Sequence, residues 1–397
     1  MWPRKRLDIS WFDIAAGRWA VVSAWNRERR LEQIALHWRE PHIVALSVRS
    51  ALHLILSQAD WPRGTEILMS AMTIPDMAHL VRHHGYVPVP VDLNSSTAAP
   101  SVDSLEMART PSTRVLILAH LFGSRASMPG IMTWAEEHNI QIIEDCAQAY
   151  IGPEWPGTPG CLATLFSFGT IKTATAGGGA IAVVRDPAML ARMATIHDSW
   201  PVAGRIRFSF KLARLALLKF LSYRPVFAVL RCILRLCGLD FDRVLNRSVR
   251  GFPGDDLVAQ IAKQPSTPLL ALLARRFHGF DHANLAWRTE LGNQLSSSLP
   301  EHILHLGGTA AHHSHWVAPV ISQDPATLIK VLRSRGFDAT QGASMEIVAV
   351  PDDRPDTAAT IRSRFSQLVF LPLYTDMAPS DIDRLSRAVA ECETHAT

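Results

Sequence analysis

From about residue 43 the chain alternates short apolar runs with longer amphipathic ones. "IVALSV" predicts a buried strand and "RSALHLILSQA" a helix; "TEILMSA" predicts a strand, "IPDMAHLVRHHG" a helix and "YVPVPVDL" a strand. "TRVLILAHLFG" reads as a strand, "MPGIMTWAEEHN" as a helix and "IQIIEDCAQA" as a strand with a polar end. "TLFSFG" and "GGAIAVVR" predict two strands on either side of a loop that carries Lys172. Strands alternating with helices predict an α/β fold, a mostly parallel sheet between helical layers. In such sheets ligands collect at the carboxyl ends of the strands.

The alternation stops at about residue 201. Residues 205–238 are apolar and basic, with no Asp or Glu, and predict two helices around Pro225. Arg207, Lys211 and Arg214 stand at i, i+4 and i+7 and so share one helical face. Phe208, Leu212, Leu215 and Leu218 make the other faces apolar. Two readings follow. The pair packs on the protein's own core or on a partner subunit, or it lies as a basic hairpin on an anionic membrane surface. "PSTPLLALLARRFHGFDHANLAWRTELGNQL" predicts one long helix that starts at proline. Beyond about 301, strand and helix signals suffice for a small α+β unit. The expected division is a large domain over 1–265, with an insertion at about 205–260, and a linking helix plus small C-terminal domain over 266–397.

Composition changes this picture little. With 397 residues, 48% hydrophobic and 19% charged, the chain can bury a core. A net charge of +4 makes no case for nucleic acid. The five cysteines are odd in number and lack C-x-x-C spacing, which fits a reducing, cytoplasmic compartment. The N-terminal stretch mixes Asp8, Asp13 and Arg18 into its apolar residues and does not read as a signal peptide. No apolar run reaches the roughly 18 residues of a membrane span. His312, His313 and His315 cluster without a carboxylate or cysteine at ligand spacing, so no metal is predicted.

The chemistry lies at strand ends. A loop lysine is ordinarily a solvated cation, but Lys172 follows Ser167 by five residues and precedes the glycines 177–179. Asp145 ends an apolar strand, with Gln148 three residues on. Ser47 to Ser50 occupy a strand-to-helix turn, where backbone N–H groups favour a phosphate. A P-loop is excluded, because there the lysine follows the glycines. An amine, an acid and a phosphate site together are what pyridoxal phosphate needs.

The motifs resemble those of the DegT/StrS-type sugar aminotransferases, pyridoxal-phosphate enzymes of fold type I. "AHLFGSRASMPGI" is similar to the family's H-L-[YF]-G segment, and "IIEDCAQAYIG" to its E-D-x-A-Q-[AS] motif. "FSFGTIKTATAGGGA" resembles its S-F-x-x-x-K…G-x-G-G motif, and the likeness resumes in "FLPLYTDMAPSDIDRL". The resemblance implies that Lys172 is the Schiff-base lysine and proton shuttle and that Asp145 pairs with the pyridine nitrogen. It implies that Gln148 lies against the ring and its 3-oxygen, and that Ser167 and the turn at Val48 and Arg49 bind phosphate. Met72 falls at the ring-stacking position, which is usually aromatic. A lysine rather than a histidine at 172 favours transamination.

Departures fall elsewhere. Ser47-Val48-Arg49 stands where the family has S-G-T. "IAKQPS" replaces the G-Y-N-Y-R-x-S segment that reaches into the partner subunit's site, with Ala262 near the asparagine position and Lys263 beside it. The resemblance implies a homodimer that passes an amino group from an amino acid such as glutamate to a carbonyl acceptor, a nucleotide-linked keto-sugar or a related precursor. The alternative is a catalytically degenerate homologue that binds or regulates.

Overall fold

The structure is a computed structural model and describes residues 1–237, 256–342 and 344–393. The segment 238–255, part of the expected insertion, lies outside the described residues.

The N-terminal part of the chain runs α1 (Trp11–Ser23), α2 (Arg27–Ala35), β1 (His42–Ala45), α3 (Val48–Gln58), β2 (Glu66–Ser70), β3 (Met72–Thr73), α4 (Pro75–His83) and β4 (Val87–Val91). It continues through α5 (Val102–Ala108), β5 (Thr113–Ala119), β6 (Ser124–Arg125), α6 (Met128–Glu137), β7 (Gln141–Asp145), β8 (Ala163–Ser167), β9 (Ala180–Val184) and α7 (Pro187–Ser199). A seven-stranded sheet has the order β1-β9-β8-β7-β5-β2-β4. Only β9 runs against its neighbours; the other pairs are parallel. This is the mostly parallel α/β sheet that the alternation predicts. The lysine loop joins β8 to β9, which pair with Ser167 opposite Ala180.

Alternate residues of the strands face opposite layers. Ile43, Ile67, Ile117, Ile143 and Leu165 pack under α3, α4 and α7. On the other side, Val44, Phe166, Ile181 and Val183 meet α1, while Leu68, Val89, Leu116 and Ile142 meet α5 and α6.

Helices α8 (Arg205–Leu221) and α9 (Arg224–Leu236) form the expected pair. Phe208, Leu212 and Leu215 are buried in the core shared with α1, so α8 packs on its own chain. Gly17 makes this approach close: a Cβ there would stand 3.2 Å from Leu212 and 3.2 Å from Leu272. Lys211 does not share the exposure of Arg207 and Arg214. Its Nζ turns inward, 3.0 Å from where a Cβ on Gly178 would lie, and burial lowers its pKa to about 8.

After α10 (Leu257–Ile261), the long helix expected from residue 265 is two helices, α11 (Thr267–His278) and α12 (His282–Ser298). Gly279 ends the first. Asp281 caps the second by accepting from the Asn284 N–H, which breaks the run. Helix α11 belongs to the core beneath α1 and β8. The remainder holds β10 (His312–His313), β11 (Ala318–Ile321), α13 (Pro325–Ser334), β12 (Glu346–Ile347), α14 (Ala359–Arg364), β13 (Leu368–Leu371) and α15 (Pro379–Glu393). Strands β11 and β13 pair and pack with α12, α13 and α15 in a separate apolar cluster that also takes in Trp2. Two short pairings tie this part to the first: β10 with β6, and β12 with β3.

Candidate active site

The carboxyl ends of β1, β5, β7 and β8 open on one edge of the sheet, facing the amino end of α3. Ser47 caps α3 by accepting from the Ser50 N–H at 3.2 Å, which leaves the positive end of an eleven-residue helix at this edge. Val48 is buried in the first turn, and the Arg49 guanidinium pairs with Asp76. The Ser50 hydroxyl donates to the Ile261 carbonyl at 2.9 Å. The segment at Ala262 and Lys263 therefore lies against the first turn of α3 in its own chain.

Asp145 closes β7. Its Oδ1 accepts from the Ala147 N–H at 2.9 Å, and no hydrogen bond to Oδ2 occurs among the described residues. Burial raises its carboxyl above the ordinary range, against the opposing pull of that amide and of Lys172. Burial lowers the Lys172 amine to about 8; Asp145 opposes this fall and Arg49 adds to it. The two groups therefore sense one another across the strand ends. Ser167 and Lys172 flank Gly169: a Cβ there would lie 3.7 Å from Ser167 Oγ and 3.8 Å from Lys172 Cγ. Gln148 is anchored from the side, its Oε1 accepting from the Phe122 N–H at 2.8 Å. Met72 has no exposed surface and packs in one cluster with Leu93 and Leu121.

Glu144, next to Asp145, has a structural task. Burial would raise its carboxyl, but hydrogen bonds and charge from His120, with bonds from Thr158, outweigh this and hold it at about 2. It fixes the strand end that carries Asp145.

Several residues that the sequence does not single out border the lysine. A cavity of about 650 Å³ reaches Lys172 between the N-terminal segment, α12 and the C-terminal part. The Trp316 ring lies under the amine, 4.3 Å from Nζ to the centroid, and its Nε1 donates to the Ile171 carbonyl at 2.9 Å. The Lys5 Nζ also lies over this ring, 4.9 Å from its centroid, and donates to the Trp316 carbonyl. Arg288 is buried beside Thr173 and donates to the Ser314 carbonyl. Asp8, Asp13, Asp281 and Asp376 also line this cavity, so its walls carry both signs of charge.

Beside Trp316, His305, His313 and His315 bring ring nitrogens within 4.8 Å of one another. Burial pushes all three below the ordinary imidazole range. His313 Nδ1 accepts from the His315 N–H, so its proton sits on Nε2. The rings of His313 and His315 stack at 3.9 Å, which keeps their in-plane lone pairs from converging. His305 Nε2, His313 Nε2 and His315 Nδ1 are buried and have no hydrogen-bond partner among the described residues.

The residues fit pyridoxal phosphate. A carboxylate with one oxygen open, an amine held near neutrality and a helix amino end beside a serine hydroxyl match its ring nitrogen, its carbonyl and its phosphate.

Comparison with known proteins agrees. Residues 17–202 match the model of the DegT/DnrJ/EryC1/StrS aminotransferase family. The L-glutamine:2-deoxy-scyllo-inosose aminotransferase of Streptomyces kanamyceticus is 32% identical over 206 residues, 49% of this chain and 48% of that protein. The UDP-N-acetyl-3-dehydro-alpha-D-glucosamine 3-aminotransferase of Acidithiobacillus ferrooxidans is 33% identical over 155 residues, 38% of this chain and 42% of that protein. The chain thus spans about half the length of the curated relatives it matches. In fold the likeness extends over nearly the whole chain. Spr1654 of Streptococcus pneumoniae, in its PLP form, superposes with a TM-score of 0.66 at 18% identity, covering 99% of this chain and 98% of that one. Residues 17–202, a little under half of the chain, are thus similar to the DegT/DnrJ/EryC1/StrS aminotransferase family.

Proposed function

We propose that the protein is a pyridoxal-phosphate-dependent aminotransferase that carries an amino group from an amino acid to a keto-sugar. The observation behind this reading is the mutual electrostatic dependence of Asp145 and Lys172 at adjoining strand ends, beside the amino end of α3. Bound there, pyridoxal phosphate would supply a carbonyl that takes up the amino group and a ring that accepts the electron pair left when a proton departs. Lys172 would anchor it through Nζ and carry the proton between donor and acceptor. Asp145 would keep the proton on the ring nitrogen. Ser167, with the first turn at Val48 and Arg49, would hold the phosphate. Gln148 would lie by the ring oxygen, and Met72 would cover the ring only after a local shift.

The acceptor is proposed as a nucleotide-linked keto-sugar or a related cell-surface precursor. The two curated relatives act, by name, on a keto-cyclitol and on a UDP-linked keto-sugar. The buried Arg288 guanidinium beside the cavity suits a phosphate of such an acceptor. The donor is proposed as glutamate, with glutamine, the donor in the first relative's name, as its competitor. The enzyme is read as a cytoplasmic homodimer, divided as 1–265 and 266–397.

A single-turnover assay tests the reading. Protein loaded with pyridoxal phosphate and given excess glutamate, without acceptor, is expected to release one 2-oxoglutarate per bound cofactor. Absence of oxo acid from both glutamate and glutamine would favour the degenerate homologue instead.

A further inference from the structure

The outer surface of α1, α8 and α9 has an unusual composition. Phe12, Trp19, Trp25, Ile206 and Phe210 are each 70–80% exposed. Their order is regular. Phe12, Ala15, Trp19 and Val22 follow one face of α1; Ile206, Phe210, Ala213, Leu217 and Phe220 follow one face of α8; Val229, Ile233 and Leu236 follow one face of α9. These stripes lie opposite the residues that α8 buries, so they are not core-facing.

The platform is held rigidly. Helices α1 and α8 run antiparallel and are tied at both ends. The Trp11 Nε1 donates to the Tyr223 hydroxyl at 2.8 Å. The Arg205 guanidinium donates to the Val21 and Ala24 carbonyls at the end of α1 and stacks on Trp25 at 4.0 Å.

Charge decides what such a face would meet. Helices α8 and α9 contain no acid, and the one acid of α1, Asp13, is buried between Arg275 and Arg276. Arg207 and Arg214 flank the apolar stripe of α8 and are exposed, as is Arg18 on α1. A second copy laid on this face would bring cations against cations with no acid to answer them. An anionic bilayer supplies the opposite charge. Exposed Trp and Phe among cations is the composition of an amphipathic surface that lies at the headgroup level. None of the described helices is long and apolar enough to cross a membrane.

We propose that the combined outer face of α1, α8 and α9 docks the protein on an anionic lipid surface, with Phe12, Trp19, Trp25 and Phe210 inserted at the headgroups. The surface is broader than the 205–238 hairpin, because its aromatic part comes from the N-terminal helix. Ser10 and Asp13 of the α1 cap and Lys219 of α8 also border the cavity that reaches Lys172, so docking keeps this cavity beside the bilayer.

Co-sedimentation of the full chain with vesicles tests the proposal, using phosphatidylcholine alone and phosphatidylcholine mixed with phosphatidylglycerol, each at low and high salt. Binding is expected only to the mixed vesicles at low salt. Arg207→Gln with Arg214→Gln is expected to weaken it roughly 25-fold, about fivefold for each cation lost. Phe12→Ser with Phe210→Ser removes anchors but no charge and is expected to weaken it roughly tenfold or more. All four positions are exposed, so circular dichroism and thermal midpoints should match the parent. Vesicle binding indifferent to both pairs overturns the proposal. So does a wild-type dimer that binds no vesicles and becomes monomeric in the Phe12→Ser, Phe210→Ser variant; the face then belongs to a second copy.

Discussion

Replacing Asp145 with asparagine is expected to lower the pKa of Lys172 and, at the same time, to remove nearly all transamination. The amine is at about 8 because burial and Arg49 pull it down while Asp145 holds it up. The asparagine amide would keep the shape and the bond from Ala147, but not the charge. An opposite charge at close range typically supports a pKa by roughly 1–3 units, so the amine should fall to roughly 5–7. At pH 7.5 an amine with a pKa of about 8 is roughly one quarter neutral, and after the change it would be roughly three quarters neutral or more. Trace acetylation of cofactor-free protein across a pH series, read at the Lys172 peptide by mass spectrometry, gives the midpoint directly. The variant should thus show a more available amine and a dead enzyme. A midpoint that stays at about 8 or moves upward would refute the coupling inferred between these two groups.

Other expectations follow from the same geometry. Ser167→Ala should weaken pyridoxal phosphate binding by roughly tenfold, the loss of one charge-assisted hydrogen bond, while leaving the binding of phosphate-free pyridoxal unchanged in a titration of absorbance. Glu144 has a carboxyl held at about 2, below its ordinary 4.5. It should contribute roughly 3 kcal/mol that is present above about pH 4.5 and is lost as the pH falls towards 2. Glu144→Gln should flatten that part of the stability–pH curve in urea unfolding. Asp13→Asn would leave Arg275 and Arg276 without their buried partner. Arg276 keeps Asp8 as a partner and Arg275 is half exposed, so the change should cost roughly 1–3 kcal/mol in the same unfolding assay, with a change under about 0.5 kcal/mol refuting the role. Gly179 has a φ of +89°, and a Cβ there would meet Leu273 Cδ1 at 2.7 Å. Gly179→Ala should therefore destabilise the protein by roughly 1–3 kcal/mol or more, read as a lower thermal midpoint.

The sheet was legible because its strands are buried on both faces and so stand out as short apolar runs, most of them separated by amphipathic helices. The approach of Ser167 to Lys172 was legible for a similar reason: both stand on one strand and its following loop. Trp316, Lys5 and Arg288 were not legible. They reach the lysine only through folding of distant segments, and nothing local marks an indole in "HSHWVAP" as the surface under an amine. Lys211 shows the limit of a helical wheel. The wheel groups it with Arg207 and Arg214, but only packing shows that its side of α8 is the one covered by Gly178. The break between α11 and α12 did have a signal, Gly279 followed by the capping Asp281, overridden in the reading by the apolar run before it. Helix α1 carried a capping box, Ser10 with Asp13, inside a stretch read only for targeting. Its exposed tryptophans could be placed together only once the helix was set against α8.

The central claim is that Lys172 is the covalent anchor of pyridoxal phosphate. The direct measurement is to mix the purified protein with pyridoxal phosphate, reduce with borohydride and map the pyridoxyl group by peptide mass spectrometry. One group per chain, on Lys172 and absent from Lys172→Ala, is the predicted result. Labelling spread over other lysines, or equal in Lys172→Ala, would contradict it.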